Sequence, residues 1–199
     1  MDKVIRRIAL VALAATLPLV SSCLTGPKVE SPLNGQFRYT CCNIRYEKPE
    51  ITDVNYQTGA IIPYGTRVQI IEVRKNAVRF QPVGHPEITL VYRHGRKIYP
   101  FEQYLDRIFL TDDPRASKAK PSKAAKTQKV AEQGTKTEKL IEQGTVEPGM
   151  TKAEVLLTLG YPPAHRTASL ESPIWTYWRN RWDTFTVYFD GDKVDRIGR

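Results

Sequence analysis

The apolar positions of this chain fall into blocks of different period, and each block predicts a different kind of element. Ile8 to Val20 is an almost unbroken apolar run, preceded by Asp2, Lys3, Arg6 and Arg7 and followed by the small residues Ser21 and Ser22. A run of about 13 residues interrupted by Pro18 is short of the roughly 20 that a membrane span needs. With its charged start it has the make-up of an export signal. After a polar tether from Leu24 to Pro32, the stretch from about Leu33 to Asp113 is rich in two-residue alternation and turn residues. Phe37, Tyr39 and Cys41 alternate with Arg38, Thr40 and Cys42, and Ala60-Ile61-Ile62 runs into the turn Pro63-Tyr64-Gly65. Val68, Ile70 and Val73 line one face of Thr66 to Val73, and Ala77 to Phe80 and Ile88 to Tyr92 predict two further short strands. The period then switches: Phe101, Tyr104, Leu105, Ile108 and Phe109 share a helical face behind Pro100, which suits a first-turn position. The expectation is a small antiparallel β unit capped by one amphipathic helix.

From Pro114 to Gly134 large apolar residues almost vanish in favour of Lys, Ala, Ser, Thr and Gln. As a coil of about 20 residues this stretch would have an r.m.s. span of roughly 25 Å; Lys123 to Gln133 also has the propensity for a solvated helix. Either form leaves it a linker between two domains. Glu132-Gln133-Gly134-Thr135 recurs as Glu142-Gln143-Gly144-Thr145, which predicts two successive helix ends, with Thr135 and Glu138 as a capping box between them. Thr151 and Glu154 form a second capping box, opening a helix that presents Val155, Leu156 and Leu159 and stops at Gly160, before Pro162-Pro163. Three strands follow, Ile174 to Arg179, Thr184 to Phe189 and Lys193 to Ile197, with Asp190-Gly191-Asp192 as the last tight turn. Helices followed by an antiparallel meander predict a two-layer α+β module.

Two of these blocks resemble known families. Leu19-Val20-Ser21-Ser22-Cys23 resembles the lipobox of bacterial lipoproteins, which implies cleavage after residue 22 and lipidation of Cys23. One acyl chain binds a membrane only marginally and two or more anchor stably, so the mature protein is expected to sit on a membrane without spanning it. Leu24 in place of aspartate implies, by the same resemblance, the periplasmic face of an outer membrane. Gly149-Met150-Thr151, Glu154-Val155, Leu159-Gly160, Pro162-Pro163, Trp175-Thr176-Tyr177, Val187-Tyr188-Phe189-Asp190 and Lys193-Val194 together resemble the BamE-like (SmpA/OmlA) domain of small outer-membrane lipoproteins. That resemblance covers about residues 135 to 199 and implies a part accessory to β-barrel assembly or envelope integrity. Typical members are little more than the tether and this one domain, so the β unit and linker are additions. Ile62 to Ile70 looks like the strand entry of bacterial SH3-like barrels. The domain plan is therefore a signal peptide 1–22, a lipidated tether 23–32, an SH3-like β domain 33–113, a linker 114–134 and a BamE-like domain 135–199, with the last module held away from the anchor.

The net charge of +9 changes this picture little. Arg115, Lys118, Lys120, Lys123, Lys126 and Lys129 are concentrated in a stretch without acids, and the rest of the mature chain is nearly balanced. A lipid-anchored exported protein does not meet nucleic acid, so anionic lipid or an acidic wall polymer is the electrostatic partner to consider, and a solvated spacer kept extended by like charge is the plain alternative. Once Cys23 is lipidated, Cys41 and Cys42 remain. Neighbouring Cα atoms are about 3.8 Å apart while disulfide-bonded ones usually sit roughly 4.4–6.8 Å apart. Two unbridged cysteines, at least one buried in a strand, are expected, with a vicinal or an intermolecular bridge as the alternatives.

His85, His94 and His165 are scattered over loops, and no nucleophile-elbow, phosphate-loop or dinucleotide motif occurs, so neither a cofactor nor an enzymatic activity is expected. The aromatic residues of the last module are the better candidates. Alternation assigns Trp175, Tyr177 and Arg179 to one strand face and Thr176, Trp178 and Asn180 to the other. Trp178, Arg181 and Trp182 are therefore expected to form a contact surface for a protein partner or lipid headgroups, Trp and Arg being enriched at binding hot spots. Two readings follow: a lipid-anchored adaptor of the β-barrel assembly machinery, or a lipoprotein that binds peptidoglycan or acidic glycans through the β domain and the basic linker.

Overall fold

The computed structural model describes residues 27–116, 128–167 and 169–199. The leader 1–22, the lipidation site Cys23 and Lys118, Lys120, Lys123 and Lys126 lie outside the described residues. The fold is mixed α+β. Its N-terminal half holds β1 (Phe37–Thr40), β2 (Ile44–Tyr46), β3 (Glu50–Thr52), β4 (Ala60–Ile62), β5 (Arg67–Arg74), β6 (Ala77–Pro82), β7 (Ile88–Val91), α1 (Phe101–Ile108) and β8 (Phe109–Leu110). The C-terminal half holds α2 (Gln128–Gln143), α3 (Lys152–Leu159), β9 (Ile174–Asn180), β10 (Asp183–Asp190) and β11 (Lys193–Gly198).

Strands β5, β6 and β7 form an antiparallel run at the centre of a six-stranded sheet of order β3-β7-β6-β5-β1-β8, while β2 and β4 pair separately. The register shift between Ile70 and Glu72 adds a residue to β5, so the buried set passes from Val68 and Ile70 to Val73, as the parity of the apolar positions requires. The expected all-antiparallel unit needs correction: β3 pairs in parallel with β7, through Glu50↔Thr89, Ile51↔Leu90 and Thr52↔Val91. A three-residue strand has no readable period, so β3 leaves no mark in the sequence pattern. Phe37, at the start of β1, is 49% exposed, under the Arg67 guanidinium at 3.9 Å. α1 buries Phe101, Leu105 and Ile108 against this sheet, with Pro100 at its N-cap.

Cys41 and Cys42 are bonded to each other, and both are buried. This corrects the expectation of two free thiols. The argument against a bridge assumed a strand, but β1 ends at Thr40 and the two cysteines occupy a bend, where adjacent side chains need not diverge.

In the C-terminal half, the Thr151 box forms as expected: Glu154 N donates to Thr151 Oγ1 at 3.3 Å and Thr151 N donates to Glu154 Oε2 at 2.7 Å. Gly160 ends α3 with φ +80°. β9, β10 and β11 form the three-stranded antiparallel sheet, and its inward face, with Trp175, Tyr177, Val187 and Val194, packs on Val155, Leu159 and Ile141. α2 departs from expectation. It begins at Gln128, inside the stretch assigned to the linker, and runs through Gly134 without a break. Only the second copy of the repeat stops a helix, with Gly144 at φ +66°.

The two halves are docked against each other through side-chain hydrogen bonds. Asn43 is the hub. Its Nδ2 donates to Ile141 O at 2.6 Å and Thr158 O at 3.2 Å, its Oδ1 accepts from Tyr64 N at 2.9 Å, and its own N donates to Leu157 O at 2.9 Å. Asn55 Nδ2 and Gln57 Nε2 both donate to Leu159 O, at 2.9 and 3.0 Å. Arg45 Nη2 donates to Gln143 O and Gly144 O at 3.4 and 3.2 Å. Helix C-termini leave carbonyls without intrahelical partners. Here amide and guanidinium side chains from the N-terminal half supply the donors for both α2 and α3. Each core also borrows a ring from the other half: Tyr161 packs on the first and Tyr64 on the second.

Candidate functional site

The β9–β10 turn is Arg181-Trp182, closed by Asn180, whose Oδ1 accepts from Trp182 N at 2.8 Å and Asp183 N at 3.1 Å. Arg179 Nη1 bonds Asp183 Oδ2 at 3.0 Å across the same turn. The tip is thus held by its own polar groups, and Trp182 is left 82% exposed, with the Arg181 guanidinium 4.6 Å from its ring centre. Alternation along β9 sends Trp175 and Tyr177 into the core and Trp178 to the other face, where it is half-buried. All three sequence-predicted residues, Trp178, Arg181 and Trp182, line one hollow of about 500 Å³.

The other walls come from both halves. Val54 and Tyr56 come from the segment after β3, His94 from the loop after β7, and His165 and Arg166 from the turn that follows Pro162-Pro163. The His94 and His165 rings are 5.3 Å apart, His165 lies 6.3 Å from Trp178, and the Arg166 guanidinium is 5.6 Å from the Trp178 ring. Burial holds the His165 imidazole below its usual range, and His94 and Arg166 push it the same way against Asp53. Among the described residues no carboxylate lines the hollow. Asp53 is turned to the backbone instead, accepting from Arg93 N, His94 N and Gly95 N at 2.9, 3.0 and 2.7 Å. Trp178 Nε1 is covered and has no hydrogen-bond partner among the described residues.

The wall formed by Tyr56 and Arg181 is shared with a second hollow of about 380 Å³, which Arg45, Tyr46, Lys48 and Glu50 also line. A third, of only about 50 Å³, lies between α1 and the 160–164 segment, beside Cys42, Tyr92, Tyr104, Arg107 and Tyr161. Burial pushes Tyr104 well above the usual tyrosine range and Tyr92 up to about 12, which keeps both neutral hydroxyls there. Tyr92 spends its proton on Tyr99 O at 2.8 Å.

Among the described residues no group of three His, Cys, Asp or Glu is placed to hold a metal ion. The strand pattern was enough to single out the two tryptophans. Tyr56, His94, His165 and Arg166 sit on loops without period, and only the docking of the halves brings them together. No family model matches this chain, and no curated protein or solved structure matches it.

Proposed function

We propose that this chain is a lipid-anchored periplasmic scaffold of the outer membrane, accessory to β-barrel assembly or envelope integrity. In this reading Cys23 is the anchor, residues 135–199 are a BamE-like module and the N-terminal half is an SH3-like unit enlarged by further strands. One observation carries it: Trp182 stands 82% exposed on a self-braced turn beside Arg181 and Trp178. A large indole presented to solvent on a braced turn has few rotors to immobilise when a partner buries it. The test is a photo-crosslinking residue at position 182 in intact envelopes. Barrel-assembly subunits captured at 182, and not from position 83, where Val83 is also well exposed, support the scaffold; capture of no envelope protein overturns it.

A second reading, a lipoprotein that binds cell wall or acidic glycan, is favoured by a different observation. The hollow beside Trp182 is lined by arginines and histidines and, among the described residues, by no acid. Sedimentation of the full chain with purified cell wall, in a salt-dependent way, supports it.

A further inference from the structure

Trp178, Trp182 and Tyr56 line the hollow, and an aromatic π face takes either a cation or the C–H face of a flat ring. The cation role is already filled. Arg166 and Arg181 lie near the two indoles, His94 and His165 complete the wall, and among the described residues no carboxylate lines it to balance a further positive charge. The complementary occupant is anionic, with a flat and partly apolar body. At about 500 Å³ the hollow is within the usual range of small-molecule sites, roughly 300–1,000 Å³.

An extended peptide would join by strand addition, which needs free main-chain groups on a sheet edge. The β9 edge beside the hollow is occupied. Trp178 O accepts from Gln57 N at 2.9 Å, and Thr176 N donates to Thr167 Oγ1 at 3.1 Å. Recognition here runs through side chains, as a ring with a charged substituent requires. A pyranose bearing a carboxylate has that form: its axial C–H groups stack on indole, and its carboxylate suits the paired donors of a guanidinium.

We propose that the hollow between the two halves binds an acidic saccharide, with a sugar ring stacked on Trp178 and Trp182 and its carboxylate held by Arg166, Arg181 and the His94–His165 pair. This rests on the second reading above and moves the contact from the basic linker to a built site. It also makes binding proton-linked. The groups that bear on the imidazoles are Asp53 on the segment after β3, Arg93 beside His94, Arg166 beside His165 and Arg181 on the hairpin; Arg93 is paired with Glu50 at 3.4 Å, and Asp53 is bonded to the loop backbone. Without a ligand, burial and then His94 and Arg166 disfavour a proton on His165. A bound carboxylate beside it favours that proton, so affinity rises as pH falls through the histidine range.

The test uses trigalacturonate and its uncharged methyl ester, titrated into the full chain in detergent and read by the indole N–H signals of its three tryptophans. Trp175 is buried and serves as the internal reference. Trigalacturonate is expected to move the Trp178 and Trp182 signals and leave Trp175 in place. The ester is expected to bind at least about ten-fold more weakly, and affinity at about pH 5.5 to exceed that at about pH 7.5 by several-fold. Trp182→Ala and Arg181→Gln, both at the exposed tip, are expected to abolish the shifts with the fold intact. Equal binding of the ester, full displacement by inorganic phosphate, or shifts that survive both variants each overturn the site. So does movement of the same signals by anionic phospholipid nanodiscs or an acidic peptide with none by trigalacturonate. Cell-wall sedimentation that survives both variants but is lost on deletion of 115–129 overturns the site and keeps the second reading. Loss of both saccharide binding and sedimentation in the wild-type chain overturns the two together.

Discussion

Asn43 offers the sharpest test of the docked arrangement, because one side chain there serves both halves. It is fully buried, and its amide orientation is fixed by its partners: two carbonyls demand the nitrogen and one backbone N–H demands the oxygen. Asn43→Leu keeps the branching and heavy-atom count of the side chain and removes all three of its bonds. Ile141 O retains Gly144 N at 3.0 Å, whereas Thr158 O and Tyr64 N each lose the hydrogen bond that Asn43 makes to them. A buried polar group without a partner costs about 1–3 kcal/mol, and the added apolar contact offsets part of this. A net loss of about 3 kcal/mol follows, equivalent to a fall in Tm of about 6–12 °C at about 2–4 °C per kcal/mol for a chain of this size. Asn43→Asp should be worse, since it keeps the acceptor for Tyr64 and turns an anion toward two carbonyls. The assay is urea unfolding followed separately by the fluorescence of Trp178 and Trp182 and by proteolysis of the 92–96 loop, so that loss of docking and loss of fold are read apart. Asn43→Leu and Asn43→Asp both within about 0.5 kcal/mol of wild type, the ordinary scatter of surface changes, would refute the view that this amide joins the halves.

The two copies of the repeat should respond oppositely to one substitution. Gly134→Ala is expected to stabilise by about 0.5–1 kcal/mol, since Gly134 is inside α2 with nothing within 4 Å of an added methyl, whereas Gly144→Ala is expected to destabilise by about 1–2 kcal/mol because φ is +66° and Arg45 occupies the space; paired thermal melts check both signs. Cutting the chain at a protease site inserted after Lys120 is expected to leave the two pieces co-eluting, because the halves are held by Asn43, Asn55 and Gln57 and not by the covalent link alone; separate elution would count against this. Tyr92, Tyr104 and Tyr177 are held neutral, so tyrosinate absorbance is expected to show these rings silent near pH 10, where exposed tyrosines ionise. Their folded pKa values lie above the unfolded one, so their contribution to stability is complete below about pH 10 and is lost as pH rises toward 12 and beyond, giving cooperative alkaline unfolding.

The sequence discloses elements that bury one face over a full period. β5, β6 and β7, α1, α3 and the β9–β11 meander are all visible in it, because each alternates or turns at 3.6 residues against a core. β2, β3 and β8 have two or three residues and no period to read. The vicinal bridge was obscured by extending β1 two residues too far. The docking itself was invisible for a chemical reason. It runs from side-chain amides to helix-end carbonyls, and Asn43, Asn55 and Gln57 look in sequence like ordinary loop residues. The site divides the same way: strand alternation points to Trp178, and aromatic density at the hairpin tip points to Trp182, but their neighbours Tyr56 and His94 depend on docking.

The repeat shows how local sequence and tertiary contact divide the work. Glu-Gln-Gly-Thr carries the same glycine stop signal at 134 and at 144, yet the helix obeys only the second. At Gly144 the released carbonyls of Gln143 and Gly144 meet Arg45, and that of Ile141 meets Asn43; around Gly134 an added Cβ would meet nothing. Glycine makes termination cheap at either place, and the other half of the molecule decides which place is used. The C-terminus of α2 is therefore completed by docking and not before it. The hollow beside Trp178 has walls from both halves, so it too exists only once they have met. Weakening Asn43 or Arg45 should then lower ligand binding at Trp182 without touching a residue that lines the hollow around it, an effect that a site built within the β9–β10 hairpin alone would not show.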